Sequence, residues 1–415
     1  MDFTSLPSLT RQQANRLAIA LLSLTLPCIS QAAEPEMKHL GFEVQVLCID
    51  ANEGCDVGDL DGDGQMDVVA GRNWYKNGDW TPRPLRLIED VNGYTRSNGD
   101  HLFDVNNDGL LDVIAGGFFD SEVLWYQNPG PNELSKGSLW KSHPLLTTEQ
   151  TTNEASLLHD LNADGSPEWI ANQWVATKPL LIWNFSIEAV PAKKKNAPAN
   201  YKAEGKSHTI GASNGHGLGV GDLNNDGRND LIVATGWYEQ PEAGPYSGEW
   251  IYHAQWDQKF SFPILVRDIN QDGKNDMVWG NPHDYGLYVW FGTGIDDSGN
   301  FQYSETLIDK SFSQAHAIHW ADLNGDGVEE LISGKRVRAH NGRDPGAAET
   351  PVIMAYQWDA EAKSFTKAIV DRGGAGTGLQ IRSADLDNDN DLDLVVSGKD
   401  GTQILWNPRL KNAVK

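Results

Sequence analysis

One nine-residue pattern constrains the fold of this chain more than any other feature. Asp-Leu-Asp-Gly-Asp-Gly-Gln-Met-Asp at 59–67 recurs in recognisable form six more times, starting at Asp104, Asp160, Asp222, Asp268, Asp322 and Asp385. The starts lie 45, 56, 62, 46, 54 and 63 residues apart, a self-similarity that marks a repeat architecture. Short apolar runs such as Leu231-Ile232-Val233-Ala234 follow the motifs, then aromatic stretches such as Leu287-Tyr288-Val289-Trp290. These runs are strand-length, and no helical period is sustained after the N-terminal segment. A unit of a few short strands cannot bury both faces alone, and radial packing of such units makes a β-propeller. The expectation is an all-β, seven-bladed propeller spanning 33–415 as a single domain. Only Gln403-Ile404-Leu405-Trp406 remains as a strand after the last motif, so Phe42 to Ile49 is expected to supply the missing outer strand and close the ring.

Oxygen-bearing side chains fall at positions 1, 3, 5 and 9 of each motif, the alternation by which a tight loop presents several oxygens to one hard cation. The expected Ca²⁺ ligands are Asp59, Asp61, Asp63 and Asp67; Asp104, Asn106, Asp108 and Asp112; Asp160, Asn162, Asp164 and Glu168; Asp222, Asn224, Asp226 and Asp230; Asp268, Asn270, Asp272 and Asp276; Asp322, Asn324, Asp326 and Glu330; and Asp385, Asp387, Asp389 and Asp393. Position 6 is Gly in six copies and Asn390 in the seventh, residues that tolerate a left-handed backbone. The weakest sites are expected where position 3 is Asn or position 9 is Glu, and Pro167 singles out the third loop. Positions 1, 3, 5 and 9 of these loops hold 23 of the 58 acidic residues, so much of the net charge of −25 reads as metal ligand. The same charge argues against nucleic acid or an anionic membrane as partner.

Arg11 and Arg16, the apolar run Leu17 to Leu26, and Ser30-Gln31-Ala32-Ala33 read as a secretory signal peptide, residues 1–32, cleaved after Ala32. The run is too short to span a bilayer, so an exported protein without membrane insertion is expected, periplasmic or extracellular. Pro27 before Cys28 disfavours a lipid anchor. Cys48 and Cys55 either form a bridge in an oxidising compartment or stay as two reduced thiols. Pro191 and Lys193-Lys194-Lys195 mark 189–206 as a solvated surface loop.

If each motif joins the innermost strand to the next, the residues six positions before it converge at the opposite mouth of the ring. They are Glu53, Asn98, Glu154, His216, Phe262, His316 and Leu379, of which five are polar or ionisable. Loops after the second strands return to that face with Arg72, Trp74, Phe118-Phe119, Trp174, Trp237, Tyr238, His283, Asp284, Tyr285, Lys335, Arg336, His340 and Lys399. Aromatics mixed with Arg, Asp and His suit a polyol, because ring faces stack on C–H patches while polar groups bind hydroxyls. Taken singly, each aromatic is equally at home packing between blades. Imidazoles converging with Glu53 or Glu154 suit acid–base work or a divalent metal in addition to Ca²⁺.

The repeated loops resemble FG-GAP/VCBS repeats, whose seven-unit members form Ca²⁺-binding propellers. That resemblance implies fold and metal but not activity, since such propellers serve in adhesion, sugar binding and catalysis. Asn214-Gly215-His216-Gly217, Gln314-Ala315-His316, and Gly334-Lys335-Arg336 through His340 to Asp344-Pro345 resemble bacterial propellers similar to the propeller domain of aldos-2-ulose dehydratase. This second resemblance implies a carbon–oxygen lyase acting on a keto-sugar. His216 or His316 would remove the α-proton, Lys335 or Arg336 would stabilise the enolate, and His283 or Glu154 would help the hydroxyl leave. Glu53, Arg72, Trp74, Asn98, Trp174, Trp237, Tyr238, Asp284, Tyr285 and His340 would contact the sugar. Two other classes stay open: a non-catalytic propeller binding a glycan or a protein, and a polysaccharide lyase on uronic acids whose carboxylate Arg72, Lys335 and Arg336 would neutralise.

Overall fold

The computed structural model describes residues 37–190 and 200–409. Strands there assemble into seven sheets arranged as blades, plus one small hairpin. Blade 1 runs from Asp56–Gly58 to Pro82–Pro84, blade 2 from Asp100–Phe103 to Lys141–Thr147, and blade 3 from Asn153–His159 to Asn200–Gly211. Blade 4 runs from Leu218–Gly221 to Ile251–Ala254, blade 5 from Leu265–Arg267 to Phe301–Ser313, and blade 6 from Ala315–Ala321 to Ser364–Arg372. Blade 7 takes three strands, Gln380–Ala384 to Gly401–Trp406, from the end of the chain and its outer strand, Glu43–Cys48, from near the beginning. The first strands of blades 4 and 5, 6 and 7, 7 and 1, and 1 and 2 pack against one another, which places first strands on the inner wall of the ring.

Strand periodicity explains the inter-blade cores. Side chains alternate between the two faces of a strand, and each second strand is covered on both, so it reads as a continuous apolar run. Val68 and Ala70 pack in the core between blades 7 and 1, whereas Val69 packs between blades 1 and 2. Leu231 and Val233 face blade 3, and Ile232 faces blade 5. Among the described residues the buried apolar side chains form seven clusters, one for each junction between blades. The junction between blades 7 and 1 is built like the others, with Leu47, Leu386, Val395 and Ile404 against Val68 and Tyr75.

Several expectations change. Trp74 and Trp237 are buried in these cores, Trp74 beneath Arg83 and Trp237 stacked on His253 at 4.2 Å. Tyr238 is likewise buried, its hydroxyl donating to the Ser213 carbonyl at 2.8 Å. None of the three contacts the mouth. Cys48 and Cys55 are both free thiols, and burial pushes the Cys55 thiol up to about 12. The described parts of 189–206 are not a loop but the ends of two long paired strands, Leu180–Val190 and Asn200–Gly211; Pro191 and the lysine run lie outside the described residues, as does the proposed signal peptide. No helix of the described residues is long and apolar enough to cross a membrane.

Candidate functional site

The two ends of the ring are chemically different. At one end each nine-residue motif connects a first strand to a second with the same hydrogen bonds in every copy. The position 1 carboxylate accepts the N–H groups of positions 5 and 6, as Asp59 does from Asp63 and Gly64 and Asp385 from Asp389 and Asn390. The position 9 carboxylate is buried and accepts the N–H of position 2 at 2.8–3.2 Å in all seven. Burial pushes the position 9 carboxyls up, to about 6 in Asp67, about 7 in Asp112 and Asp393 and about 8 in Asp230.

The residues fit a hard cation in their donor chemistry. Carboxylate oxygens of Asp59, Asp61 and Asp67, and of Asp385, Asp387 and Asp393, come within 4.8 Å of one another. These are the two loops with Asp rather than Asn at position 3. In the first, the Lys76 ammonium pairs with Asp61 and lies 2.6 Å from Asp63. The third loop keeps the common bonds, with Gly165 N–H on Asp160 at 2.7 Å, and Pro167 falls at position 8, whose N–H takes no part in those bonds. Position 4 is left-handed as well as position 6, with Gly62, Asn107, Ala163, Asn225, Gln271, Gly325 and Asn388 all at positive φ. Sequence reading missed this because Ala163 and Gln271 carry no signal for it.

At the opposite end a cavity of about 470 Å³ opens on the axis, lined by Glu53, Tyr94, Arg96, Phe118, Phe119, Glu154, Trp174, His216, Lys259, His283, Arg336, His340, Asn341 and Lys399 among others. Three sets of side chains stand at or directly behind its polar surface.

In the first set, Glu154 Oε1 lies 3.3 Å from both His216 Nε2 and His316 Nε2. His216 Nδ1 contacts the Phe260 carbonyl at 3.0 Å. A carbonyl can only accept, so in the neutral ring Nδ1 carries the proton and the Nε2 lone pair faces Glu154. Among the described residues Glu154 is what faces His216 Nε2 and His316 Nε2, and His316 Nδ1 has no hydrogen-bond partner. Burial alone would raise Glu154, but the imidazolium form of His216 and an N–H of His316 hold it well below the usual carboxylate range. His316 is fully buried behind Glu154 and does not line the cavity, so the expectation that it touches a substrate is corrected.

The second set is a buried charge cluster. Arg336 donates to both oxygens of Glu53, from Nε at 2.6 Å and Nη2 at 2.8 Å, and Lys399 Nζ joins at 3.1 Å. Burial raises Glu53, but Arg336 and Lys399 outweigh it and bring the carboxyl to about 2. Burial and the neighbouring Arg336 lower the Lys399 ammonium to about 8. Arg336 Nη1, 3.9 Å from Glu154, links this set to the first.

In the third set, Asp344 places Oδ2 3.2 Å from His283 Nδ1 and Oδ1 3.0 Å from His340 Nδ1. The two imidazoles stack at 4.4 Å, and His283 meets the His216 ring at 4.6 Å. Burial, His216 and His340 lower His283 to about 4, so it is neutral at pH 7.

Other predicted residues do not reach the mouth. Lys335 ends the second strand of blade 6, and strand alternation sends it away from Arg336 to donate to Ser313 Oγ at 2.9 Å and Gln314 Oε1 at 3.0 Å. Arg72 is tied to Asp50, Asp90 and the Ile88 carbonyl, so it braces the hairpin Asp90–Val91/Tyr94–Thr95 rather than a ligand. Asn98, Phe262 and Leu379 are buried without lining the cavity. Asp284 bonds the Tyr285 N–H and Tyr285 bonds Glu349, both outside it. Conversely the hairpin supplies Val91, Asn92, Tyr94 and Thr95, with Arg96 following it, from an insertion that no repeat comparison could place.

The sequence matches the FG-GAP-like repeat family over 268–333 and the FG-GAP repeat over 214–247. A search of the curated proteins finds no match. Among solved structures, the chain is similar to BBS1N from its complex with ARL6DN, with TM-score 0.51 and 14% identity, covering 90% of this chain and 98% of that one. The Vibrio cholerae biofilm matrix protein Bap1 aligns with TM-score 0.44 and 10% identity over 88% of this chain and 91% of that one. At such identity the likeness to BBS1N speaks to fold alone. The chain is a seven-bladed β-propeller that carries FG-GAP repeats.

Proposed function

We propose that this is an exported Ca²⁺-binding propeller acting on carbohydrate, whose axial mouth eliminates water from a keto-sugar. The observation that carries this reading is the His216 imidazole, its tautomer fixed by the Phe260 carbonyl and its free nitrogen presented beside Glu154 in a cavity walled by aromatics. His216 would take the proton α to the ketone, and Glu154 would stabilise the imidazolium that forms. Arg336 Nη1, not engaged by Glu53, can donate to the developing enolate oxygen. Lys399, brought to about 8, can give a proton to the departing hydroxide. Lys399 thus takes the place that sequence reading assigned to His283 or Glu154, while Arg336 alone keeps the enolate role that it shared with Lys335. Phe118, Phe119 and Trp174 offer aromatic surface to a sugar. Bound Ca²⁺, at up to seven loops, would supply cross-linking of each first strand to the next through the position 1, 3, 5 and 9 side chains.

The test is an ultraviolet scan of the mature protein with Ca²⁺ and a panel of keto-sugars and uronate oligosaccharides. A conjugated enone from a keto-sugar is the expected result. An unsaturated uronate would move the assignment to a polysaccharide lyase, and silence across the panel would leave a glycan- or protein-binding propeller.

A further inference from the structure

We infer that the mouth continues into a second subsite, a groove across the rim of blades 1 and 2 that receives the next ring of an uncharged glycan chain whose end occupies the axial cavity. A cavity of about 560 Å³ lies there, lined by Leu87, Glu89, Ser121, Glu122 and Thr147 among others. It shares Arg96 and Phe119 with the axial cavity, so a ligand larger than one ring can extend from one into the other past these two side chains. Each volume falls in the range that small-molecule sites occupy, about 300–1,000 Å³.

The junction between the cavities is held in place by the fold. Phe119 stands on the loop 116–121 that joins the second and third strands of blade 2, Asp112–Ala115 and Glu122–Gln127. Asn153 of blade 3 pins that loop three times: its side-chain amide donates to the Gly117 and Asp120 carbonyls, both at 2.9 Å, and its backbone N–H donates to the Phe118 carbonyl at 3.0 Å. A Cβ at Gly117 would stand 2.2 Å from Asp120 Oδ2, so glycine there lets Asp120 fold back over the loop. Asp120 in turn holds Arg96, with Nη2 at 2.5 Å. The Phe119 ring, set against Trp174 at 5.9 Å, nevertheless stays 48% exposed. An exposed aromatic already fixed in position offers surface to the C–H patches of a sugar with little ordering left to do on binding. Leu87, 81% exposed, adds apolar surface beyond it.

The charges of the groove select against acidic chains. Arg86 is buried against Asp100 and neutralised there. Arg96 is left as one cation against three carboxylates, Glu89, Asp120 and Glu122. Burial, with Glu122 and Glu89, raises the Asp120 carboxyl against the pull of Arg96. Carboxylates accept hydrogen bonds from sugar hydroxyls and repel a uronate. The subsite rests on the carbohydrate reading of the mouth, not on its elimination chemistry.

The test is calorimetric titration of the mature, Ca²⁺-saturated protein with neutral gluco-, galacto- and manno-oligosaccharides of one to four rings, and with oligogalacturonates of the same lengths. At least one neutral series is expected to bind about 10-fold more tightly with a second ring than with one, and the oligogalacturonates to gain nothing. Thr147→Trp and Glu122→Trp each put bulk into the groove from an exposed strand position outside the axial cavity. Both should cancel the gain and keep single-ring affinity, with folding verified by a melting curve. Absence of binding throughout, affinity that does not grow with length in any neutral series, a gain that survives both variants, or an equal gain with oligogalacturonates would overturn the subsite. Length-dependent binding by a protein silent in the enone assay would remove the elimination reading and keep the groove; enone formation without length dependence would do the reverse.

Discussion

The two ends of the ring are made of similar residue types used in opposite ways. At the loop end the same carboxylates occur at the same positions with the same backbone bonds seven times over. At the mouth the positions that repetition would make equivalent differ from blade to blade: Glu53, Asn98, Glu154, His216, Phe262, His316 and Leu379. Repetition therefore serves the scaffold, and departure from it serves the site. At the loop end each position 9 carboxylate binds the backbone of its own loop, whereas Glu53 and Glu154 bind residues from other blades.

If that division holds, loss of function and loss of stability separate by end. His216→Ala is expected to reduce elimination by about 100- to 10,000-fold with a melting temperature near wild type, measured by enone absorbance and calorimetry on one preparation. Trp237→Ala, remote from the mouth, should do the reverse. It removes a fully buried side chain between blades 4 and 5 and should cost about 3–5 kcal/mol in denaturant unfolding, with turnover per folded molecule unchanged.

Acid should weaken the fold through the imidazoles, not through the loops. Burial lowers His101, His283 and His319 from 6.5 to about 4. A group whose folded pKa is depressed stabilises the fold above its unfolded value and loses that contribution as pH falls through the folded one. With Ca²⁺ saturating, stability should hold above pH 6.5 and decline toward pH 4, and denaturant midpoints across that range measure it. A flat profile would deny these rings their neutral, buried state. The smallest expected effect lies in the third loop. Ala163 holds φ at 57°, where a side chain is disfavoured, so Ala163→Gly should stabilise by about 0.5–1 kcal/mol and leave the mouth untouched.

Sequence reading found the blades because each loop repeats a chemical necessity at a fixed spacing. It found Glu53, Glu154 and His216 because the inner-strand phase could be counted back from the motif. It failed where a side chain's direction depends on one residue of register, as with Lys335 against Arg336, and where an aromatic serves packing, as with Trp74, Trp237 and Tyr238. Asp344 stood only within a family resemblance, with no role, because its meaning comes from a turn that folds it back onto His283 and His340.

The most direct test of the account is the initial rate of enone formation from a keto-sugar by wild type and His216→Ala, both with Ca²⁺ and with matched melting temperatures. The account predicts a chromophore from the wild type and its near-complete loss in the variant. An undiminished rate in His216→Ala, or a wild type silent toward every keto-sugar tried, would contradict it.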